Sequence, residues 1–307
     1  MKKAFDCSCG YLVFRLFVLV LLPLSLTARN FDRSLQRSSS GEKEKLRIIS
    51  YNVFNGFKGM ADKDRMGRFS HWMKEASPDI LALQELSNFS TQDLLTFAKG
   101  WGHSYAALVK ERKGHPSGIP SQYPIEVKSR ILDGFWHGLL HVRIREFDIL
   151  ITHLSPFEVK TRQDEVRRII EYARTIKNEK ILLMGDFNST SPFDADWLES
   201  RMPDRWFDYS VISALLAVPF YDLCYRYVQP EKRGSVPTQI LEHVSRNPYV
   251  VAKYSKRLDY IFGTKAMSDL TVDGFILNGE DNDYLSDHYP VGVEIFYKPS
   301  VDNTKSK

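Results

Sequence analysis

Cysteine is nearly absent. The chain carries three in 307 residues, and two of them, Cys7 and Cys9, stand within the first ten. Beyond that region only Cys224 remains, so no internal disulfide can staple the fold. The remaining chain of about 280 residues must hold by its own buried core, and that length suffices. With no cysteine cluster and no His-Glu-x-x-His spacing, zinc is the less favoured metal. Positive charge is thin as well. The formal net charge is +4, and residues 1–28 account for half of it through Lys2, Lys3 and Arg15 against Asp6. The densest basic group, Lys110, Arg112 and Lys113, is interrupted by Glu111. A protein that tracks a phosphate backbone by charge alone carries a stronger basic stripe. The composition therefore argues against that class and neither demands nor excludes an anionic substrate.

Long hydrophobic runs are missing too. The longest, Leu16–Leu26, is about eleven residues, against the roughly twenty that a membrane-spanning helix needs. It follows Lys2 and Lys3, and the small residues Ser25, Thr27 and Ala28 stand at its end. That tripartite pattern predicts a secretory signal peptide over residues 1–28, cleaved near Thr27 or Ala28. The alternative is an anchor retained through residues 11–28, in which Cys7 and Cys9 are open to acylation. Residues 29–45 are polar and aperiodic and read as a flexible spacer, and residues 299–307 as a frayed tail. One domain is expected over 46–298, with no second linker and no repeat.

What is there is a series of short apolar runs suited to strands: 46–53, 79–85, 103–109, 138–144, 147–154, 180–188, 257–263, 270–277 and 290–297. Helices are expected at 62–76, 90–99 and 160–177, the last with Val166, Ile169, Ile170, Ala173 and Ile176 at helical spacing. Strands in direct succession, such as 138–144 and 147–154, exclude a purely alternating parallel sheet and favour mixed sheets covered by helices.

The informative feature is the residue ending or opening each run. Asn52 follows "RIISY", Glu85 follows "ILALQ", and His153 follows "DILIT". Asp186 and Asn188 follow "ILLMG", Asp259 opens "DYIF", and Asp287-His288 precedes "YPVGVEIF". Each has a plain structural reading: a turn former, a helix cap, a satisfied histidine, or, for Asp259 beside Arg257, a surface ion pair. Taken together they are the parts for metal-assisted phosphoryl chemistry. Glu85 is a hard oxygen donor suited to Mg2+, Asp186 and Asn188 can orient a water, and His153 and His288 can bind phosphate. Asp259 or Asp287 can fix an imidazole tautomer. Asn188-Ser189-Thr190 also matches a glycosylation acceptor; a sugar there would block such a site, which makes Asn88 the better acceptor.

"SYNV", "LALQE", "THL", "MGDFN", "RLDYIF" and "SDHYPV" stand in the order and spacing of the endonuclease/exonuclease/phosphatase superfamily, the deoxyribonuclease-I-like hydrolases, which the chain resembles over residues 46–297. The resemblance implies an α/β fold, a four-layer α/β/β/α sandwich of two packed mixed sheets, with the site at one rim. It implies a metal held by Asn52, Glu85 and Asp287, with Mg2+ as cofactor and Mn2+ as substitute. It implies catalytic roles for His153, Asp186, Asn188, Asp259 and His288, and water attacking phosphorus directly. One segment departs from the pattern: "KGHPSGIPSQYPI" (113–125) adds Pro116 and Pro120 to a shortened strand. Ser121 and His115 are the substrate-binding candidates there. The expected substrate is nucleic acid or another phosphodiester, handled by a monomer without an obligate protein partner. A sphingomyelinase-like lipid hydrolase, with the aromatic segments 194–209 and 215–228 facing lipid, is the alternative. An inactive binding protein of the same fold is a third reading, opposed by the intact residue set.

Overall fold

The computed structural model describes residues 44–241 and 248–298. The expected signal peptide, most of the spacer, and the tail lie outside the described residues. The first strand begins at Glu44, so the last two positions expected as spacer are ladder residues paired with Tyr297 and Phe296. Twelve strands are present among the described residues: β1 (Glu44–Asn52), β2 (Ile80–Gln84), β3 (Tyr105–Leu108), β4 (Gly118–Ser121), β5 (Ile125–Ile131), β6 (Leu139–Ile144), β7 (Phe147–His153), β8 (Ile181–Asp186), β9 (Tyr221–Asp222), β10 (Asp259–Gly263), β11 (Thr271–Ile276) and β12 (Val291–Tyr297). They form two six-stranded sheets, in the orders β11-β12-β1-β2-β4-β3 and β5-β6-β7-β8-β10-β9. Both sheets are mixed: β1/β2 and β7/β8 are parallel and the remaining pairs antiparallel.

The layering follows from strand parity, because successive side chains point to opposite faces. Leu46 and Ile48 of β1, Ile80 and Ala82 of β2, Ile149 and Ile151 of β7, and Leu182 and Met184 of β8 share one core between the sheets. Ile49, Tyr51, Leu81 and Leu83 face outward onto α1 (Lys63–Ala76) and α2 (Thr91–Ala98) through Phe69, Trp72, Met73 and Leu94. Leu150, Ile181 and Leu183 face outward onto α3 (Val159–Ala173) and α4 (Ser210–Leu216) through Val166, Ile169, Val211 and Ile212. The result is the expected four-layer sandwich.

The helices start where capping dictates. Asp62 accepts the Arg65 N–H at the head of α1, and Ser90 and Asp93 close a capping box at α2. Helix α3 stops at Ala173 and not 177, since the chain tightens into a turn in which Thr175 donates to the Tyr172 carbonyl. Strand β5 carries no expectation from the sequence. Its alternating Glu126, Lys128 and Arg130 are exposed because it is an edge strand with one wet face.

Gly185 is the position at which the second sheet permits only one residue. Its φ of 147° is a conformation that favours glycine, and a Cβ there would sit 1.9 Å from the Thr152 carbonyl oxygen on the parallel neighbour. Gly185→Ala is expected to destabilise the protein by about 3 kcal/mol or more, the upper end of overpacking costs. A urea unfolding midpoint equal to the parent's would contradict this.

Candidate active site

The same parity that builds the inner core aims the polar residues. Asn52 continues the inward row of Leu46 and Ile48, His153 that of Ile149 and Ile151, Asp186 that of Leu182 and Met184, and Asp259 that of Ile261. All four stand at strand ends on one rim of the sandwich, between the sheets. Register completes the convergence, pairing Asp186 with His153 on β7 and with Asp259 on β10.

Asn52 is the joint between the sheets. Fully buried, it donates from Nδ2 to Glu85 Oε1 at 3.1 Å and to Asp186 Oδ2 at 3.1 Å, while its Oδ1 accepts the Phe54 N–H at 3.1 Å. This network sets the amide's orientation, with nitrogen facing the carboxylates. Asn52 therefore organises two carboxylates, and its Oδ1 carries the Phe54 N–H on one of its two lone pairs.

Glu85 follows β2 in a left-handed conformation, φ 62°. Residues 55–58 also form a left-handed turn, each at φ and ψ near +50°, which brings the Asn55 N–H to Glu85 Oε2 at 2.5 Å. Left-handed backbone costs roughly 1–2 kcal/mol per non-glycine residue, and such strain gathers at sites where placement matters. Gly56 within the turn admits no Cβ, which would meet the Ser87 backbone at 2.6 Å. Burial works to raise the Glu85 carboxyl, but His153, the Asn55 N–H and His288 outweigh it and hold Glu85 below the usual carboxylate range.

Asp186 is held on both oxygens: Oδ1 accepts the Asn188 N–H at 2.8 Å and Oδ2 the Asn52 amide. Its Oδ2 lies 3.4 Å from His153 Nε2 and 3.7 Å from His288 Nε2. Asn188, at φ 47°, turns its amide onto the Leu154 carbonyl at 3.0 Å, so its nitrogen is committed within the site wall. The two histidines are shifted in opposite directions. Burial pushes His153 down, outweighing Asp186 and Glu85. His288 is also desolvated, but Asp259, Asp186 and Asp287 surround it and raise it well above its ordinary value. His288 Nδ1 meets Asp259 Oδ2 at 2.7 Å. Burial, and after it the nearby Asp186, lifts Asp259 to about 6 against the attraction of His288. Asp259 and Arg257 are thus no surface pair: both are buried, and Arg257 serves Asp194 and Asp222 instead.

Glu85, His115, His153, Asp186, Asn188, Asp287 and His288 line one cavity of about 640 Å³. His115, in the departing segment, is brought in, its Nδ1 2.8 Å from Ser87 Oγ. Ser121 is not. It pairs with Ile80 at the start of β2, the end away from Glu85, so about 16 Å of strand separates it from the rim. Sequence reasoning missed His137, which stacks on His153 with centroids 4.1 Å apart and planes 15° from parallel. Burial pushes its imidazole down to about 2, so it packs as a neutral ring. It also missed Trp136 and Phe157, further wall residues of the cavity. His137 and Trp136 stand on the β5–β6 connection, outside the polar strand-end segments read from the sequence, and carried no signal. Phe157, just past "THL", stood within reach of one. The aromatic segments 194–209 and 215–228 contribute nothing to the cavity wall. Phe220 is buried and Trp197 lies under the Arg201 guanidinium at 4.2 Å, while Trp206 is exposed.

A family model described as endonuclease/exonuclease/phosphatase matches residues 49–288. Among solved structures, an AP endonuclease from Archaeoglobus fulgidus superposes with a TM-score of 0.61 at 20% identity, covering 81% of this chain and 98% of that one. A 3′ phosphatase from Neisseria, bound to a product DNA hairpin, gives 0.64 at 18%, covering 82% and 100%. An endonuclease/exonuclease/phosphatase from Bacteroides vulgatus gives 0.58 at 15%, covering 83% and 99%. At these identities the superpositions speak for the fold.

Proposed function

This chain belongs to the endonuclease/exonuclease/phosphatase family and is a phosphoric ester hydrolase, and from that premise we propose a Mg2+-dependent enzyme that hydrolyses phosphodiesters of nucleic acid. The observation that carries the reading is Asn52, which ties Glu85 of one sheet and Asp186 of the other to a single cavity flanked by His153 and the His288–Asp259 pair. The donor set fits a hard divalent cation. Glu85, Asp186 and Asp287 crowd one cavity, and Asp287 is raised by burial and, despite His288, by Glu85 and Asp186. Glu85 and Asp287 would hold the ion, which neutralises charge developing on the phosphate oxygens when bound.

The chain's own residues supply the remainder. Asp186, fixed by Asn52 and Asn188, accepts the proton of the attacking water as its oxygen bonds to phosphorus and the leaving oxygen departs. His288, charged and braced by Asp259, donates from Nε2 to a phosphate oxygen, where preorganised donors contribute most. His153, stacked on His137, keeps its ring in one plane beside Asp186.

The reading is tested with purified residues 29–307 on single-stranded and plasmid DNA, RNA, sphingomyelin, inositol phosphates and bis-p-nitrophenyl phosphate. EDTA is expected to abolish turnover, and added Mg2+ to restore it and raise Tm, as a ligand of the native state does. Turnover undiminished in EDTA would sink the metal assignment. Hydrolysis of sphingomyelin alone would transfer the substrate to lipid. Residues 1–28 support export of this enzyme, and N-terminal sequencing of protein recovered outside the cell would check it.

A further inference from the structure

Two aromatic side chains at the cavity wall are exposed to an extent that core packing does not explain. Trp136 is 54% exposed and Phe157 65%, and their rings meet edge to face with centroids 5.0 Å apart. They come from different connections, Trp136 before β6 and Phe157 after β7. What fixes them is buried charge. Glu165 of α3, 1% exposed, accepts the Trp136 N–H on Oε1 at 2.7 Å and the Ser155 N–H on Oε2 at 2.8 Å. Arg162, one turn earlier, donates to the Ser155 and Phe157 carbonyls at 3.1 and 2.8 Å. Its Nε also reaches Ser189 Oγ, three residues past Asp186, at 2.9 Å. One buried carboxylate and one buried guanidinium thus lock both aromatic connections to each other and to the catalytic turn. Burying ionised groups costs free energy unless they are fully engaged. Their engagement here presents two rings to solvent in the wall of the cavity that Asp186 and His288 also line.

We propose that Trp136 and Phe157 are a stacking subsite for the nucleobase next to the scissile phosphate, so that the substrate presents an unpaired base there, as a single strand or an opened end does. The inference rests on the hydrolase reading above and narrows its substrate. The cavity, about 640 Å³, is continuous from the rings to His153, Asp186 and His288, so stacked base and reacting phosphate occupy one space. Lys110 lines the same cavity and supplies a cation for a flanking phosphate. Base stacking on an aromatic face tolerates any base and needs no basic stripe, in keeping with the low net charge. A duplex interior keeps its bases stacked on each other and offers none to the rings. The aromatic surface also stops at the pair. Apart from Leu132 and Pro156, the exposed sequence neighbours are Asp133, Gly134, Glu158 and Lys160, with three charges among them that oppose insertion into a bilayer.

The test is a cycle of two changes: Trp136→Ala in the protein, and an abasic residue replacing the nucleotide at the cleavage point of a single-stranded oligonucleotide. Both aromatics are exposed, so the variant folds. Trp136→Ala is expected to lower kcat/KM on the intact strand about 5- to 140-fold, the range for stacking one base. The abasic strand should cost the parent enzyme a similar factor and the variant almost nothing further, and Trp136→Tyr should recover most of the rate. Trp136 fluorescence should be quenched by the intact strand and not by the abasic one. Equal losses on both strands, or none on either, would overturn the subsite. So would a Trp136→Ala defect seen only in sedimentation with sphingomyelin–phosphatidylcholine vesicles, which would make the pair a lipid contact. A parent enzyme active on bis-p-nitrophenyl phosphate but on no oligonucleotide overturns the subsite and leaves the hydrolase reading intact. If no phosphoester is turned over, the hydrolase reading fails, and the fluorescence comparison still decides whether a base stacks here.

Discussion

Asp186→Ala is expected to lower kcat by at least about 10³-fold on every substrate the enzyme accepts, as loss of a group acting on the reacting atoms does. The size follows from the number of contacts that meet on this carboxylate. The Asn188 N–H and the Asn52 amide hold it on opposite oxygens, and both histidines stand within 4 Å of Oδ2. Removing it takes away the proposed proton acceptor and, at once, the one carboxylate that faces both imidazoles. Asp186→Asn tests the chemistry more finely. It preserves shape but sets an amide N–H2 against either the Asn188 N–H or the Asn52 amide, so one donor faces another. It should therefore be nearly as damaging as alanine. His288→Ala belongs to the same unit, and its loss should not add to that of Asp186→Ala, since residues acting together are non-additive. The measurement is steady-state kinetics, with circular dichroism confirming the fold. Parent-like activity in either single variant removes that residue from the mechanism.

Arg257→Met is expected to cost about 3–5 kcal/mol of stability, the range for breaking a buried ion pair by removing one partner. Arg257 is 1% exposed and lies between two carboxylates that are equally buried, Asp194 at 2.8 Å and Asp222 at 2.7 Å. Methionine fills the volume but leaves both acids without their shared cation; only Arg233, 3.4 Å from Asp194, remains near one of them. The pH dependence carries a sign. Burial lifts Asp222 above its ordinary value even with Arg257 attracting it, and without that attraction it rises further. A carboxyl raised on folding contributes stability fully below its unfolded pKa of about 4 and loses it as pH rises through the folded value. The variant's deficit should accordingly be widest at neutral pH and narrow toward pH 4. Urea unfolding at pH 7 and pH 4.5 reads both quantities, and a deficit under about 1 kcal/mol at pH 7 would place this pair among weak surface bridges. Because Arg257 stands two residues before Asp259, the same variant should also loosen the His288 brace.

Much of this was legible in the residues. The strand runs were placed to within a few positions, and the six polar strand-end segments converge as their spacing implied. Glu85, His153, Asp186, Asn188, Asp287 and His288 all line one cavity, with Asn52 and Asp259 beneath it. Where neighbouring residues left two readings open, long-range pairing decided. Arg257 and Asp259, adjacent but one in a charged run, had a surface pair as their plain reading, yet each pairs across the fold with residues 29 to 63 positions away, Asp259 with His288 as the resemblance implied. Asn52 was expected near the metal, and the structure adds a task that its position in the sequence did not show, that of tying Glu85 to Asp186 across the two sheets. Ser121 matched a motif in a segment whose strand runs the other way along β2, so the match fell at the wrong rim.

By itself the sequence determined the period-two alternation of each strand, the caps of α1 and α2, and the chemistry available at strand ends. These are local properties, written in neighbouring residues and set by backbone geometry. Tertiary structure alone decided which parity faces inward, because that depends on two sheets meeting, and hence that Asn52, His153, Asp186 and Asp259 point at one another. It alone placed His137 on His153, and Trp136 beside Phe157 under the hold of Glu165 and Arg162. Those contacts join segments on separate connections, where no spacing rule operates and only packing selects the neighbour.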